Sequence, residues 1–397
     1  MPFLQSWRWF GPNDPITLQQ IKAVGVEGIV TSLHHIPYGE LWTEDEIMQR
    51  KRIVEQAGFT WCVVESVPVH EDIKKRTGNY KLYIENYKQT LRNLGKCGIS
   101  TVCYNFMPAF DWLRTNLLKP LPDGSYVSDF QIIAIAAFDL FVLKHTDAEQ
   151  SYTPEQIQQA QAWYKNLTES DLNQLMQTLL LSLPGTDKPL TLEFIRQSIE
   201  EYRQISTRQF KENLLLFIKE IVPVAEEANV KLAIHPDDPP RSVFGLPRVV
   251  SSIDDLRDII NAYPSMHNGI TLCTGSLGAG FHNNCTTIAE DLAPYVHFAH
   301  LRNVIRDAEG NFQEVSLFHG EVDIPSVMKV LILEEEKRKA QGRNDWQIPL
   351  RPDHGNLMLD DVGRKYYPGY SLYGRMKNIA ELRGLEKGIR YALGLDS

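Results

Sequence analysis

Eight short apolar runs, rich in β-branched and aromatic residues, alternate along this chain with amphipathic stretches that carry helix caps. That alternation leaves few folds open. The runs lie near Trp7 to Phe10, Gly28 to Leu33, Thr60 to Glu65, Thr101 to Phe106, Lys231 to His235, Gly269 to Cys273, Val296 to His300 and Gln347 to Arg351. Continuous apolar strands want both faces covered, and helical crossovers cover them. The pattern therefore predicts an α/β fold, a parallel sheet closed into a (β/α)8 TIM barrel. Thr17 with Gln20 and Thr43 with Glu46 have capping-box spacing, while Gly58 and Gly98 suit positive-φ positions just past helix ends.

A barrel needs about 250 residues and this chain has 397, so a large insertion is expected. The surplus lies between the fourth and fifth strands, where Met107 to roughly Leu190 reads as an inserted helical region. Within it, Thr153-Pro154-Glu155-Gln156 reads as N-cap, N1 proline and capping partner. The whole chain, 1–397, is read as one barrel domain with that insertion. Because the insertion follows the C-terminal end of a strand, it falls on the catalytic face, as a lid, an oligomer contact or plain decoration. Gly275-Ser276-Leu277-Gly278-Ala279-Gly280 matches neither a Rossmann fingerprint nor a P-loop and reads as a flexible loop leaving the sixth strand.

Composition removes several classes of function. Forty-one Lys and Arg against fifty Asp and Glu give a net charge of −9, which repels phosphate backbones, so nucleic acid is not an expected partner. No run approaches the roughly 18 to 20 apolar residues of a membrane span, and the first residues do not form a secretory signal. Five Cys is an odd, sparse count that suits a reducing compartment, so a cytoplasmic location is expected.

The last four strands each end in one metal-competent side chain: His235, Cys273, His300 and Asp353. Their spacings of 38, 27 and 53 residues are too wide for a zinc finger but natural for one ligand per βα unit. Taken singly, a buried Cys is usually a small hydrophobe and a strand-end His a hydrogen-bonded core residue. Four such residues at successive strand ends point to a shared ion instead. Two imidazoles, a thiolate and a carboxylate leave Zn(II), Fe(II), Mn(II) and Co(II) open and disfavour Mg(II). His354 follows Asp353 directly, and Tyr370 lies in a turn-like segment after the eighth strand, which offers an acid and a base at one end of the barrel. Arg8, His34, His35, Asn105 and Arg302 also stand where they can face the cavity. Arg8 and Arg302 are best placed to clamp a carboxylate. Cys62, Cys97, Cys103 and Cys285 read as core or surface residues.

Several strings, in order, resemble the mannonate dehydratases of hexuronate catabolism over essentially the whole chain. They are Trp7-Arg8-Trp9-Phe10-Gly11-Pro12-Asn13-Asp14, Ser32-Leu33-His34-His35-Ile36-Pro37, Val64-Glu65-Ser66-Val67-Pro68, Cys103-Tyr104-Asn105-Phe106-Met107-Pro108, His235-Pro236-Asp237-Asp238-Pro239-Pro240, Cys273-Thr274-Gly275-Ser276 and Arg351-Pro352-Asp353-His354-Gly355. The resemblance implies a xylose-isomerase-like barrel with Mn(2+) or Fe(2+) held by His235, Cys273, His300 and Asp353. It implies His354 and Tyr370 as acid and base, with Asp353 part of the catalytic centre; the substrate contacts expected from strand position are Arg8, Asn105 and Arg302. The implied reaction is dehydration of D-mannonate to 2-dehydro-3-deoxy-D-gluconate and water, by C2 proton abstraction and loss of the C3 hydroxyl. The alternatives are a metal-dependent sugar or sugar-acid isomerase or epimerase on the same barrel and, further off, a non-catalytic carbohydrate-binding protein. The expected partners are a small sugar acid and further copies of the chain as a homo-oligomer, with no nucleic acid and no membrane.

Overall fold

The structure is a computed structural model that describes residues 3–181 and 191–395. Four strands open the chain: β1 (Leu4–Arg8), β2 (Gly28–Thr31), β3 (Thr60–Glu65) and β4 (Thr101–Tyr104). Two more, β5 (Asn116–Pro120) and β6 (Tyr126–Phe130), follow at once. Next come β7 (Lys231–Ile234), β8 (Asn268–Cys273), β9 (Val296–Leu301), β10 (Asn303–Arg306), β11 (Phe312–Val315) and β12 (Pro349–Pro352). Eight of them close a barrel in the order β1-β12-β9-β8-β7-β4-β3-β2, every pair parallel. All six residues of β8 and all six of β9 are buried, as strands covered on both faces must be.

The helical punctuation forms largely as the residues dictate. Thr17 and Gln20 make a full capping box, and so do Thr153 and Gln156 with Pro154 in the first turn. Gly58 and Gly98 take φ of +81° and +71°. Thr43 caps Glu46 in one direction only, because the Glu46 carboxylate turns instead to His35 at 2.8 Å. The first strand lies earlier than its aromatic run suggests. Trp9 continues the ladder by a single bond to the Val30 carbonyl, so the aromatics cross the rim of the barrel.

The insertion departs from an all-helical reading. It begins with the antiparallel hairpin β5–β6, which joins β10 and β11 in a four-stranded sheet of order β10-β11-β6-β5. Only then come the helical segments from Ile132 to Leu179. A further helix, Leu192–Tyr202, extends the insertion past Leu190, and the barrel's own crossover helix starts at Thr207. The expected boundary, within 182–190, lies outside the described residues. The hairpin escaped notice because its strands alternate weakly and their partners lie far along the chain. Among the described residues no helix is long and apolar enough to cross a membrane.

Inside the barrel, Val30, Val63, Cys103, Ala233 and Phe298 form a small apolar cluster separate from the larger one beneath the helices. Side chains alternate faces along a strand, so the next inward residues are two positions on. They are Ser32, Glu65, Asn105, His235 and His300, and all but His300 line the main cavity. The apolar plug thus fixes the floor, and a polar layer stands on it at the strands' C-terminal ends.

Candidate active site at the C-terminal mouth

His235, Cys273 and His300 converge in this layer, with one ligand atom from each all within 4.8 Å of one another. His235 Nδ1 bonds the Pro236 carbonyl at 2.7 Å, so it carries the proton and leaves the Nε2 lone pair facing His300 Nδ1 at 3.2 Å. Burial pushes His300 down to about 3, so it is neutral and able to ligate. Burial, reinforced by Asp353, pushes the Cys273 thiol well up. A divalent cation reverses that preference, because a coordinating thiol is deprotonated. Two imidazoles and a sulfur in one cluster suit a borderline transition metal rather than Mg(2+).

Asp353 stands beside this trio, with Oδ2 at 3.4 Å from Cys273 Sγ and Oδ1 at 3.7 Å from His300 Nδ1. Its oxygens already face Arg302 at 3.0 Å and Arg351 at 3.1 Å. Burial would raise its carboxyl, but His354, Arg302 and Arg351 hold it well below the usual range. Around it runs a chain of buried ion pairs. Arg351 and Arg8 share Glu65, with Arg351 Nη2 at 2.9 Å and Arg8 Nη1 at 3.0 Å from Oε1. Arg302 reaches Asp238 at 2.7 Å, and Arg114 donates to both Asp238 and Glu314, at 2.7 and 2.9 Å. Four guanidiniums, on Arg8, Arg114, Arg302 and Arg351, thereby meet four carboxylates, on Glu65, Asp238, Glu314 and Asp353. Within this network the charges balance, and the His–Cys–His trio beside it offers a place for a further cation.

The acid and base candidates occupy one wall. His354 Nδ1 donates to Glu314 Oε1 at 2.8 Å and Oε2 at 3.0 Å, which leaves Nε2 to serve any further partner. Burial would lift Glu314, but His354 and Arg302, joined by Arg114, pull it down to about 2. The Tyr370 ring lies 5.3 Å from that of His354 and edge-on to Phe10 at 4.8 Å. Burial pushes its phenol up, so it holds its proton at neutral pH. Sequence separates the two by sixteen positions, and a bond from Gly355 N to the Gly369 carbonyl draws them together. Gly369 has φ +80°, and a Cβ there would lie 2.7 Å from His354 Cγ, so only glycine permits the approach.

Arg8, Asn105 and Arg302 all line the cavity, but Arg302 is enclosed by Asp238, Asp353 and Glu314 rather than free to clamp a ligand. His34 faces the cavity; His35 does not, and is exposed beside Glu46. Cys103 also reaches the cavity floor, whereas Cys62, Cys97 and Cys285 stay outside it. The glycine-rich stretch after β8 is a buried helical turn, Thr274–Gly278, and not a flexible loop. Its glycines serve close packing: a Cβ on Gly275 would lie 1.9 Å from Arg302 Nε. Ser276 in that turn touches Cys273 Sγ at 3.1 Å and Asp238 at 3.2 Å.

Five residues of the network were not anticipated. Glu65 and Arg351 had a signal, since each is an ionisable residue at a strand end in inward register. Asp238 stood in the string after β7 with its neighbours. Arg114 and Glu314 had none, because the four-stranded sheet brings them in from two separate loops.

A closed parallel barrel whose ionisable residues gather at the strands' C-terminal ends is a TIM-barrel enzyme. A family model described as "D-mannonate dehydratase (UxuA)" matches residues 3–393. The mannonate dehydratase of Marinomonas sp. (strain MWYL1) is 48% identical over 389 residues, 98% of this chain and 99% of that one. That of Saccharophagus degradans is 46% identical over 382 residues, 96% of each. The chain belongs to the D-mannonate dehydratase family. The crystal structure of mannonate dehydratase from Streptococcus suis serotype 2 superposes with a TM-score of 0.78 at 36% identity, covering 100% of this chain and 95% of that one.

Proposed function

We propose that this enzyme removes water from D-mannonate to give 2-dehydro-3-deoxy-D-gluconate, with Mn(2+) or Fe(2+) held by His235, Cys273, His300 and Asp353. The observation that carries the reading is the juxtaposition at one barrel mouth of the His–Cys–His trio with the His354–Tyr370 wall. When bound, the metal ion supplies positive charge where negative charge develops on the sugar acid's carboxylate end. The protein's own residues do the rest. One of His354 and Tyr370 takes the proton from C2, and the other gives a proton to the C3 oxygen as it departs as water. The enol left behind gains a proton at C3 and becomes the 2-keto acid. Glu314 keeps the His354 ring in one tautomer. Arg302 and Arg351 hold the Asp353 carboxylate in place, while Arg8 and Asn105 contact the substrate from the first and fourth strands.

The test is to strip the protein with a chelator and follow D-mannonate by NMR, anaerobically, with and without Mn(2+) or Fe(2+). Metal-dependent appearance of 3-deoxy methylene protons is the expected outcome. A product that keeps the substrate's mass would replace this reading with an isomerase or epimerase.

A further inference from the structure

Among side chains lining the cavity, two have polar atoms shielded from water and without a hydrogen-bond partner, yet stand outside the ion-pair network: His34 and Trp112. Trp112 packs edge-on to His354 at 5.7 Å and so belongs to the acid–base wall. His34 is elsewhere. It follows β2, which in the closed strand order is four strands from β8 in either direction. It therefore stands across the mouth from Cys273.

We infer that His34 binds a hydroxyl on the tail of the sugar acid, the end remote from the carboxylate, and so sets the length of chain the enzyme accepts. The inference rests on the proposed function for which end of the substrate faces the ligand trio. Its independent support is the imidazole itself. Neither Nδ1 nor Nε2 has a partner, although the ring packs 5.7 Å from that of Phe10. A neutral imidazole offers one donor and one acceptor, the complement of an alcohol rather than of a carboxylate. Burial, with Arg8 and Arg50 nearby, holds His34 well below its ordinary value, so it is neutral across the working range. A buried polar group left unpaired is costly, and a site that spends such a group on a hydroxyl discriminates against substrates that lack it.

The experiment compares wild type with His34→Ala and His34→Gln, using D-mannonate as substrate and a four-carbon 2,3-dihydroxy acid as competitive inhibitor. Metal content and thermal midpoint are measured on each protein. His34→Ala is expected to lower kcat/KM for D-mannonate about 10- to 100-fold, chiefly through KM. The inhibition constant of the four-carbon acid, which has no tail to reach His34, should stay within about twofold. His34→Gln, which keeps a donor and an acceptor, should recover part of the loss and answers the case in which the alanine variant fails to fold. Equal weakening toward both compounds, or no loss on D-mannonate, overturns the inference. Should wild type fail to dehydrate D-mannonate, the proposed function falls separately. His34 is then read by the thermal shift that D-mannonate causes: loss of that shift in the variants, with the four-carbon acid's shift kept, supports it, and an unchanged shift overturns it.

Discussion

Glu65 and Glu314 are both buried carboxylates of one ion-pair network, and they reach it by opposite means. Glu65 is the last residue of a barrel strand, two positions beyond Val63 in the apolar plug, so strand register alone aims it inward. Glu314 lies on β11, in a sheet that exists only because a loop after β4 pairs with a loop after β9. Phe130 stacks on Phe312 at 5.3 Å to join the two loops. Tyr126 and Leu357 exchange backbone bonds of 2.9 and 2.8 Å, which ties the same sheet to the segment carrying Asp353 and His354. The barrel holds the His235–Cys273–His300 trio, and the sheet holds the partner of His354. Stability should therefore reside mainly in the first region, and fine control of turnover in the second.

The largest effects test whether the wall between the two regions performs the chemistry. His354→Ala and Tyr370→Phe are each expected to lower kcat by about 10²- to 10⁴-fold with metal content unchanged, and the Tyr370→Phe variant should also keep the wild-type melting point. Wild-type rates in either variant would remove that residue from the mechanism. Phe298→Ala cuts into the barrel plug and should lose about 3–5 kcal/mol in denaturant unfolding. A loss under about 1 kcal/mol would mean that the plug is not what holds the barrel.

Glu314→Gln sharpens the contrast, since it alters the sheet's contribution and leaves the barrel intact. Turnover should fall about 10- to 100-fold through kcat, as when an orienting partner of an active histidine is lost. The folded protein holds Glu314 at about 2 against an ordinary 4.5, so this carboxylate stabilises the fold fully above pH 4.5. The contribution, on the order of 3 kcal/mol, fades as pH falls toward 2. Wild type should therefore exceed the Gln variant in stability at pH 6, with the gap closing on acidification. A gap that widens with acid would contradict the ion-pair account. The smallest effect belongs to the rim: His35→Ala breaks an exposed contact with Glu46 and should change stability by about 0–1 kcal/mol and leave kcat/KM unchanged.

The barrel was legible because its signals are local. Apolar runs, capping boxes and post-helical glycines each act within a few residues, and His235, Cys273, His300 and Asp353 stood out as strand-end residues before any packing was known. His34 and His35 show the limit of that reading. They are adjacent and chemically identical, yet one faces the cavity and the other faces solvent. The glycine-rich turn shows it again, since nothing nearby in sequence reveals that Arg302 crosses over Gly275.

The residues alone thus determined the eight strands, the helices that cover them and the set of candidate residues at the strand ends, because period, capping and register are short-range properties of the chain. Tertiary structure decided that Glu314 and Arg114 complete the site, that Arg302 is tied to three carboxylates, and that Tyr370 meets His354. Those pairings join residues from 12 to 200 positions apart. No local preference selects among such partners; they are set only when the closed barrel brings its loops to the same mouth and burial obliges every charge to find an opposite one.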